Sequence, residues 1–149
     1  MSLTDQLRGI RERVVREHMD SENRLDFAAT LATFSHPRYE LMATGEVFDG
    51  AEAVMGYYSA LRTAVPDQRN EVRAIRHADD AVIVEFDLFG TNTGPLRGLP
   101  PTGRAFRCPM IALFIFDAER IECERIYFDS ATILRQLGMA PDPLPEKRT

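Results

Sequence analysis

The sequence predicts an α+β fold in which a long curved sheet, antiparallel or mixed, wraps on three to four helices to make a cone with a hollow. Three observations predict it. Helical periodicity dominates the first half of the 149 residues, whereas strand-like runs dominate the second. The strand runs follow one another with only turns or one loop between them, which favours antiparallel pairing. Neither an internal repeat nor a linker interrupts the chain, so residues 1–140 read as one domain, and residues 141–149 as a Pro-rich C-terminal tail.

The elements follow in order. Leu7, Ile10, Val14 and Val15 recur at helical spacing among Arg and Glu, giving a first helix. Asp20 or Ser21 can cap a second, with Leu25, Phe27, Ala28 and Leu31 as its apolar side. His36-Pro37 ends it, because proline restricts the residue before it and cannot continue a helix. A hairpin of Tyr39–Thr44 and Val47–Asp49 turns at Gly45-Glu46. A third helix runs from about Ala51 to Ala64, carries Val54, Met55, Tyr58 and Leu61, and stops at Pro66. Strands are expected at Asn70–His77, Ala81–Gly90, Ala105–Phe116 and Arg120–Phe128. A short helix, Ser130–Leu137, ends at Gly138, a residue suited to the left-handed conformation that closes helices.

Pairing Phe116 with Ile121 across the turn DAER sets a register for the last hairpin. Phe114 then lies opposite Cys123, Ala112 opposite Arg125, Met110 opposite Tyr127 and Cys108 opposite Asp129, all on one face. Ile111, Leu113, Ile115, Ile126 and Phe128 take the other. A β-bulge would break this register. With apolar residues on both faces, one face is expected to cover core and pocket and the other to meet a second copy, giving a homodimer through the sheet.

Composition narrows the partners. A net charge of -5, with no basic run beyond the locally charged RGIRERVVRE, disfavours nucleic acid and anionic membrane. The longest apolar stretch, Met110–Phe116, is too short to span a bilayer, and the N-terminus lacks the apolar core of a signal peptide. Two cysteines, Cys108 and Cys123, match neither a zinc nor a redox spacing and fit a reducing compartment, so the chain reads as cytoplasmic. His18, His36 and His77 follow no metal spacing and read as surface or helix-end residues. No Walker loop, dinucleotide fingerprint or Gly-x-Ser-x-Gly elbow occurs, and nothing implies a cofactor.

The loop Gly90-Thr91-Asn92-Thr93-Gly94, then Gly98-Leu99-Pro100-Pro101-Thr102-Gly103-Arg104, then Asp129 and Gln136-Leu137-Gly138, resembles the SnoaL-like polyketide cyclase family. The resemblance covers nearly the whole chain. It implies the nuclear-transport-factor-2-like (cystatin-like) α+β barrel, a fold that hosts many unrelated functions. It further implies that Asp129 is the catalytic acid/base of an aldol cyclisation or isomerisation, without cofactor, on a small apolar carbonyl compound. The same residue directly precedes Ser130–Leu137 and also suits a helix cap.

Asn92 stands where the family has a loop histidine. By resemblance to limonene epoxide hydrolase, Asp87 would pair functionally with Asp129, but Glu85 replaces the arginine found there. Arg125 or Arg73 could supply that charge from a neighbouring strand, while water-facing positions for Glu85 and Asp87 are the alternative. Tyr57 or Tyr58 could point a hydroxyl into the pocket. Phe34, Met42, Met55, Met110, Phe114 and Tyr127 are candidates for its lining. A non-catalytic dimeric ligand-binding shell and an epoxide hydrolase-like activity stand as the other functional readings.

Overall fold

The computed structural model describes residues 4–139, so the Pro-rich tail at 141–149 lies outside the described residues. Helix α1 (Asp5–Asn23) is followed by α2 (Phe27–Ala32), the short strands β1 (Arg38–Leu41) and β2 (Glu46–Asp49), and α3 (Ala51–Ala64). Four long strands come next: β3 (Arg69–His77), β4 (Ala81–Thr91), β5 (Ala105–Asp117) and β6 (Arg120–Tyr127). Helix α4 (Ser130–Gln136) closes the described chain. The six strands form one sheet in the order β2-β1-β6-β5-β4-β3. All pairings are antiparallel except β1 with β6, which is parallel, so the sheet is mixed. Helix α1 packs across β3, β4 and β6, α3 across β1 and β2, and α4 against β5. This is the α+β cone expected of the chain. Among the described residues no helix is long and apolar enough to cross a membrane.

The first helix differs from expectation. It runs unbroken through Asp20 and Ser21 to Asn23. The chain turns only at Leu25, which takes φ 61°, and Asp26 caps α2 by accepting from Ala29 N at 3.1 Å. The apolar stripe of the supposed second helix was therefore divided between the turn and a six-residue helix. The buried side of α1 carries Arg11, Val15, His18 and Met19. Arg11 reaches past the sheet edge. Its Nε and Nη1 donate to Ala118 O and Asp79 O, both at 2.8 Å, which lie in the turns of the β5–β6 and β3–β4 hairpins.

One irregularity decides what faces the core. Phe116 pairs with Ile121 as expected, but Ile115 pairs with Cys123, leaving Glu122 as the extra residue of a β-bulge. Beyond the bulge the register is displaced by one. Phe114 lies opposite Glu124, Leu113 opposite Arg125, Ala112 opposite Ile126 and Ile111 opposite Tyr127. Because side chains alternate, this step exchanges the faces of the rest of β6. Glu124 and Ile126 turn inward, and Arg125 and Tyr127 turn outward, the reverse of the unbulged register.

The family-like motifs have local physical causes. Asn92 is wholly buried and ties its loop down. Its Nδ2 donates to Ala64 O and Gly94 O, its Oδ1 accepts from Thr102 N, and its backbone pairs with Arg104 O and Gly103 N. A Cβ on Gly94 would come within 2.0 Å of Thr63 O, so only glycine lets the loop lie against the end of α3. Gln136 brackets the β5 backbone, donating to Arg107 O and accepting from Arg107 N, both at 2.8 Å, while Leu137 is fully buried.

Candidate active site

The helices and the inner face of the sheet enclose a cavity of about 310 Å³. Its wall is mostly apolar, with Leu41, Phe86, Phe106, Met110, Ile126 and Leu137 among the lining residues. Polar groups from four elements also line it: Glu22 of α1, Tyr39 of β1, Tyr57 and Tyr58 of α3, and Glu124 of β6. His18 lies behind them, fully buried and held edge-on by Phe34 and Phe114 at ring separations of 5.3 and 5.1 Å.

These groups form one network. His18 Nδ1 lies 2.9 Å from Thr33 Oγ1, whose own hydrogen goes to Thr30 O at 2.6 Å. Thr33 must therefore accept, and Nδ1 carries a hydrogen. His18 Nε2 faces Glu22 Oε1 at 2.8 Å, Glu124 Oε2 at 3.0 Å and the Tyr39 hydroxyl at 2.9 Å. Tyr39 donates to Glu22 Oε1 at 3.1 Å, so the Tyr58 hydroxyl, 2.5 Å away, donates to Tyr39. Tyr57 stacks on Phe48 at 4.7 Å, and its hydroxyl has no hydrogen-bond partner among the described residues.

Burial works against charge on His18, but the negative charge of Glu124 and the contacts to both glutamates outweigh it and push its pKa up to about 10. The imidazole is therefore held as imidazolium at neutral pH. Desolvation raises the pKa of Glu124, with the His18 charge opposing that shift. Burial also raises Tyr39, Tyr57 and Tyr58 above the ordinary phenol range, helped by the two carboxylates, so all three stay neutral donors. Such a site can accept a proton at a poorly solvated carboxylate and offer hydrogen bonds to a developing oxyanion.

Among the residues expected at the site, the structure brings Tyr57, Tyr58 and Met110 to the cavity and places the others elsewhere. Asp129 is exposed and caps α4, accepting from Ala131 N at 3.0 Å and Thr132 Oγ1 at 3.1 Å. Asp87 is 1% exposed on the opposite face of the sheet, where Arg73 and Arg107 both donate to its Oδ2. Arg73 does reach a carboxylate from a neighbouring strand, but away from the cavity, and Glu85 pairs with Arg76 at 2.6 Å. Arg125 faces outward to Glu40 at 2.7 Å, and Tyr127 is 43% exposed, both because of the bulge. Phe34 and Phe114 form the layer behind His18 and do not line the cavity. Asn92 holds the loop, Met42 is exposed and Met55 packs against the core.

His18, Glu22, Tyr39 and Glu124 are the residues the sequence reading missed. A signal existed for two of them. Arg11, Val15, His18 and Glu22 succeed one another by four, three and four positions, the spacing of one helix face. His18, expected at a surface or helix end, continues that face into the core. Glu124 left no such signal, because the bulge alone turns it inward.

Comparison with known proteins agrees with this architecture. The family model of the SnoaL-like polyketide cyclases matches residues 12–137. No curated protein sequence matches the chain. Among solved structures, a candidate SnoaL-like polyketide cyclase from Jannaschia sp. CCS1 superposes with a TM-score of 0.80 at 20% identity, covering 90% of this chain and 94% of its own. IdmH, a candidate polyketide cyclase from Streptomyces antibioticus, gives 0.74 at 23% identity over 86% and 98%. A protein of ketosteroid isomerase-like fold from Catenulispora acidiphila gives 0.74 at 20% over 89% and 97%. Likeness at these identities establishes the fold, while the family match spans most of the chain, from the middle of α1 to the end of α4. The chain belongs to the SnoaL-like polyketide cyclase family.

Proposed function

We propose that the chain catalyses proton transfer next to the carbonyl of a small apolar molecule, leading to aldol cyclisation or isomerisation. The observation that carries this reading is the pair of carboxylates, Glu22 and Glu124, at an apolar cavity that also holds the unpartnered hydroxyl of Tyr57. The substrate skeleton fills the cavity and its carbonyl oxygen accepts from Tyr57. Glu124 takes the α-proton, and the C–H electron pair passes to the carbonyl oxygen as an enolate held by that hydrogen bond. Return of the proton to a different carbon completes an isomerisation. Attack of the enolate carbon on a second carbonyl, with the proton delivered to the new alkoxide, completes a ring closure. His18 holds both carboxylates in place, and the Tyr58–Tyr39 chain orients Glu22. The family and the candidate cyclases among its structural neighbours support a ring-forming reaction.

The test follows deuterium uptake at the α-carbons of a panel of bicyclic and tricyclic ketones by NMR in D₂O, with a chelator present. Exchange above the buffer rate, lost in Glu124→Gln, is the expected result. Tight binding of a ketone with no exchange would leave a ligand-binding shell instead. We further propose a homodimer through the outer sheet face, where the paired side chains of Ile111 and Tyr127 stand 40% and 43% exposed.

A further inference from the structure

One hydrogen on His18 Nε2 faces three acceptors on three different side chains: Glu22 Oε1 at 2.8 Å, Glu124 Oε2 at 3.0 Å and the Tyr39 hydroxyl at 2.9 Å. A single N–H directs its hydrogen well to only one of them. The Glu124 side chain is 5% exposed, and its Oε2 makes no hydrogen bond. A buried carboxylate oxygen left in that state is costly and needs compensation. The other ring nitrogen is already committed. Thr33 Oγ1 gives its hydrogen to Thr30 O, so Nδ1 donates to Thr33, and any lone pair on the ring points from Nε2 at the two carboxylates. That point needs positive charge. A proton supplies one unit and one direction; a divalent cation supplies two units and meets all three ligand atoms at once.

We propose that His18 Nε2, Glu22 Oε1 and Glu124 Oε2 form a three-ligand binding site for a divalent transition-metal cation, with the remaining coordination positions open to the cavity. The three ligand atoms lie within 4.8 Å of one another. A cation about 2.1 Å from each ligand holds neighbouring ligands about 3.4 Å apart in a tetrahedral shell and about 3.0 Å apart in an octahedral one, and the 2.8 and 3.0 Å from Nε2 to the two carboxylates are nearer the octahedral spacing. The Thr33–Nδ1 contact is the outer hydrogen bond that fixes tautomer and ring orientation in metal-ligating histidines. One imidazole and two carboxylates suit Mn²⁺, Fe²⁺, Co²⁺ or Zn²⁺ rather than a thiolate-seeking ion. Uptake expels the Nε2 proton to solvent. The inference rests on the geometry of the cluster and goes beyond the reaction proposed for it. A bound cation would occupy the carboxylates that reaction uses.

The full-length protein, freed of metal by chelator and then dialysed, is titrated with Co²⁺ and with Mn²⁺ in the absence of any ketone. Saturable uptake of one ion per chain is expected, with visible Co²⁺ absorption bands of a nitrogen- and oxygen-ligated ion. Mn²⁺ should broaden the NMR ring signals around the cluster, His18, Tyr39 and Tyr58 with Phe34 and Phe114 beside them, far more than those of rings remote from it, a readout that needs no variant. Glu22→Gln and Glu124→Gln should each weaken binding about 100-fold or more, and Thr33→Val about 10-fold, whereas Glu12→Gln on the surface should leave it unchanged. Absence of saturable uptake up to millimolar Co²⁺, or uptake that leaves the rings around the cluster sharp, would overturn the site. The two readings fail separately. Ketone exchange in chelator without Co²⁺ uptake removes the cation alone, and Co²⁺ uptake without exchange of any ketone removes the proton-transfer reaction alone.

Discussion

Two carboxylates that look alike in the sequence do different work at the level of single residues. Asp129 sits in water and caps a helix, and Glu124 sits in a desolvated corner against an imidazolium. Asp129→Asn should therefore keep ketone exchange near the wild-type rate and change stability by only a few tenths of a kcal/mol, since asparagine caps about as well. Glu124→Gln should slow exchange by about 100-fold or more, the usual range for losing an acid/base group. Tyr57→Phe, which removes the free hydroxyl, should cost about 100-fold in rate with little effect on ketone binding. Rates and binding isotherms on the three variants, compared side by side, check these outcomes. The cysteines make a further residue-level case. Burial comes first among the causes that raise both thiols to about 11. Neither thiolate forms appreciably at pH 8, so a thiol-exchange reagent should label Cys108 and Cys123 only after denaturant is added. Fast labelling of the native protein would contradict the buried positions.

The elements themselves were largely legible, because helix α3 and the four long strands obey the 3.6 and 2.0 periods that sequence patterns report. The site was less legible, and the reason is local. Alternation along β6 was read correctly, but its sign depends on whether Glu122 is paired, and nothing in IECERIY marks an unpaired residue. One displaced register therefore exchanged Tyr127 and Arg125 for Glu124 in the pocket. Deleting Glu122 should remove the bulge and leave the other pairs of the hairpin in place, with Glu124 still opposite Phe114 and Arg125 still opposite Leu113 on the outer face. The fold should therefore survive the deletion, with the melting temperature changed by only a few degrees as read by circular dichroism, whereas loss of folding would show that the bulge itself is required. At the loop, Gly94→Ala must move the end of α3 and should destabilise the fold by about 1–3 kcal/mol in denaturant titration.

On the scale of the whole molecule, the sheet has two unlike faces. The inner one was expected to hold the pocket and does hold a cavity, but the charged residues thought to converge there are split between the two sides. Asp87, with Arg73 and Arg107, belongs to the outer face beside Pro109, Ile111 and Tyr127. Sequence alternation placed Asp87 and Glu85 together correctly, but it carries no information about which side faces inward. If the outer face joins two copies, Ile111→Glu should shift the protein from dimer to monomer in light scattering, with the cavity network unaffected. A wild-type monomer at all concentrations would end that proposal.

Arg11 adds a matter of timing. Its guanidinium is held by carbonyls from the Asp79 and Ala118 turns, so its two anchors come from chain made about 70 and 110 residues later. On a ribosome the helix that carries His18 and Glu22 emerges before the sheet it packs on, and its grip on that sheet is finished only after the β5–β6 hairpin has left the exit tunnel. Until then the two acidic residues have no enclosure to share, and a chain stalled before Ala118 would display the helix without the chamber it is meant to furnish.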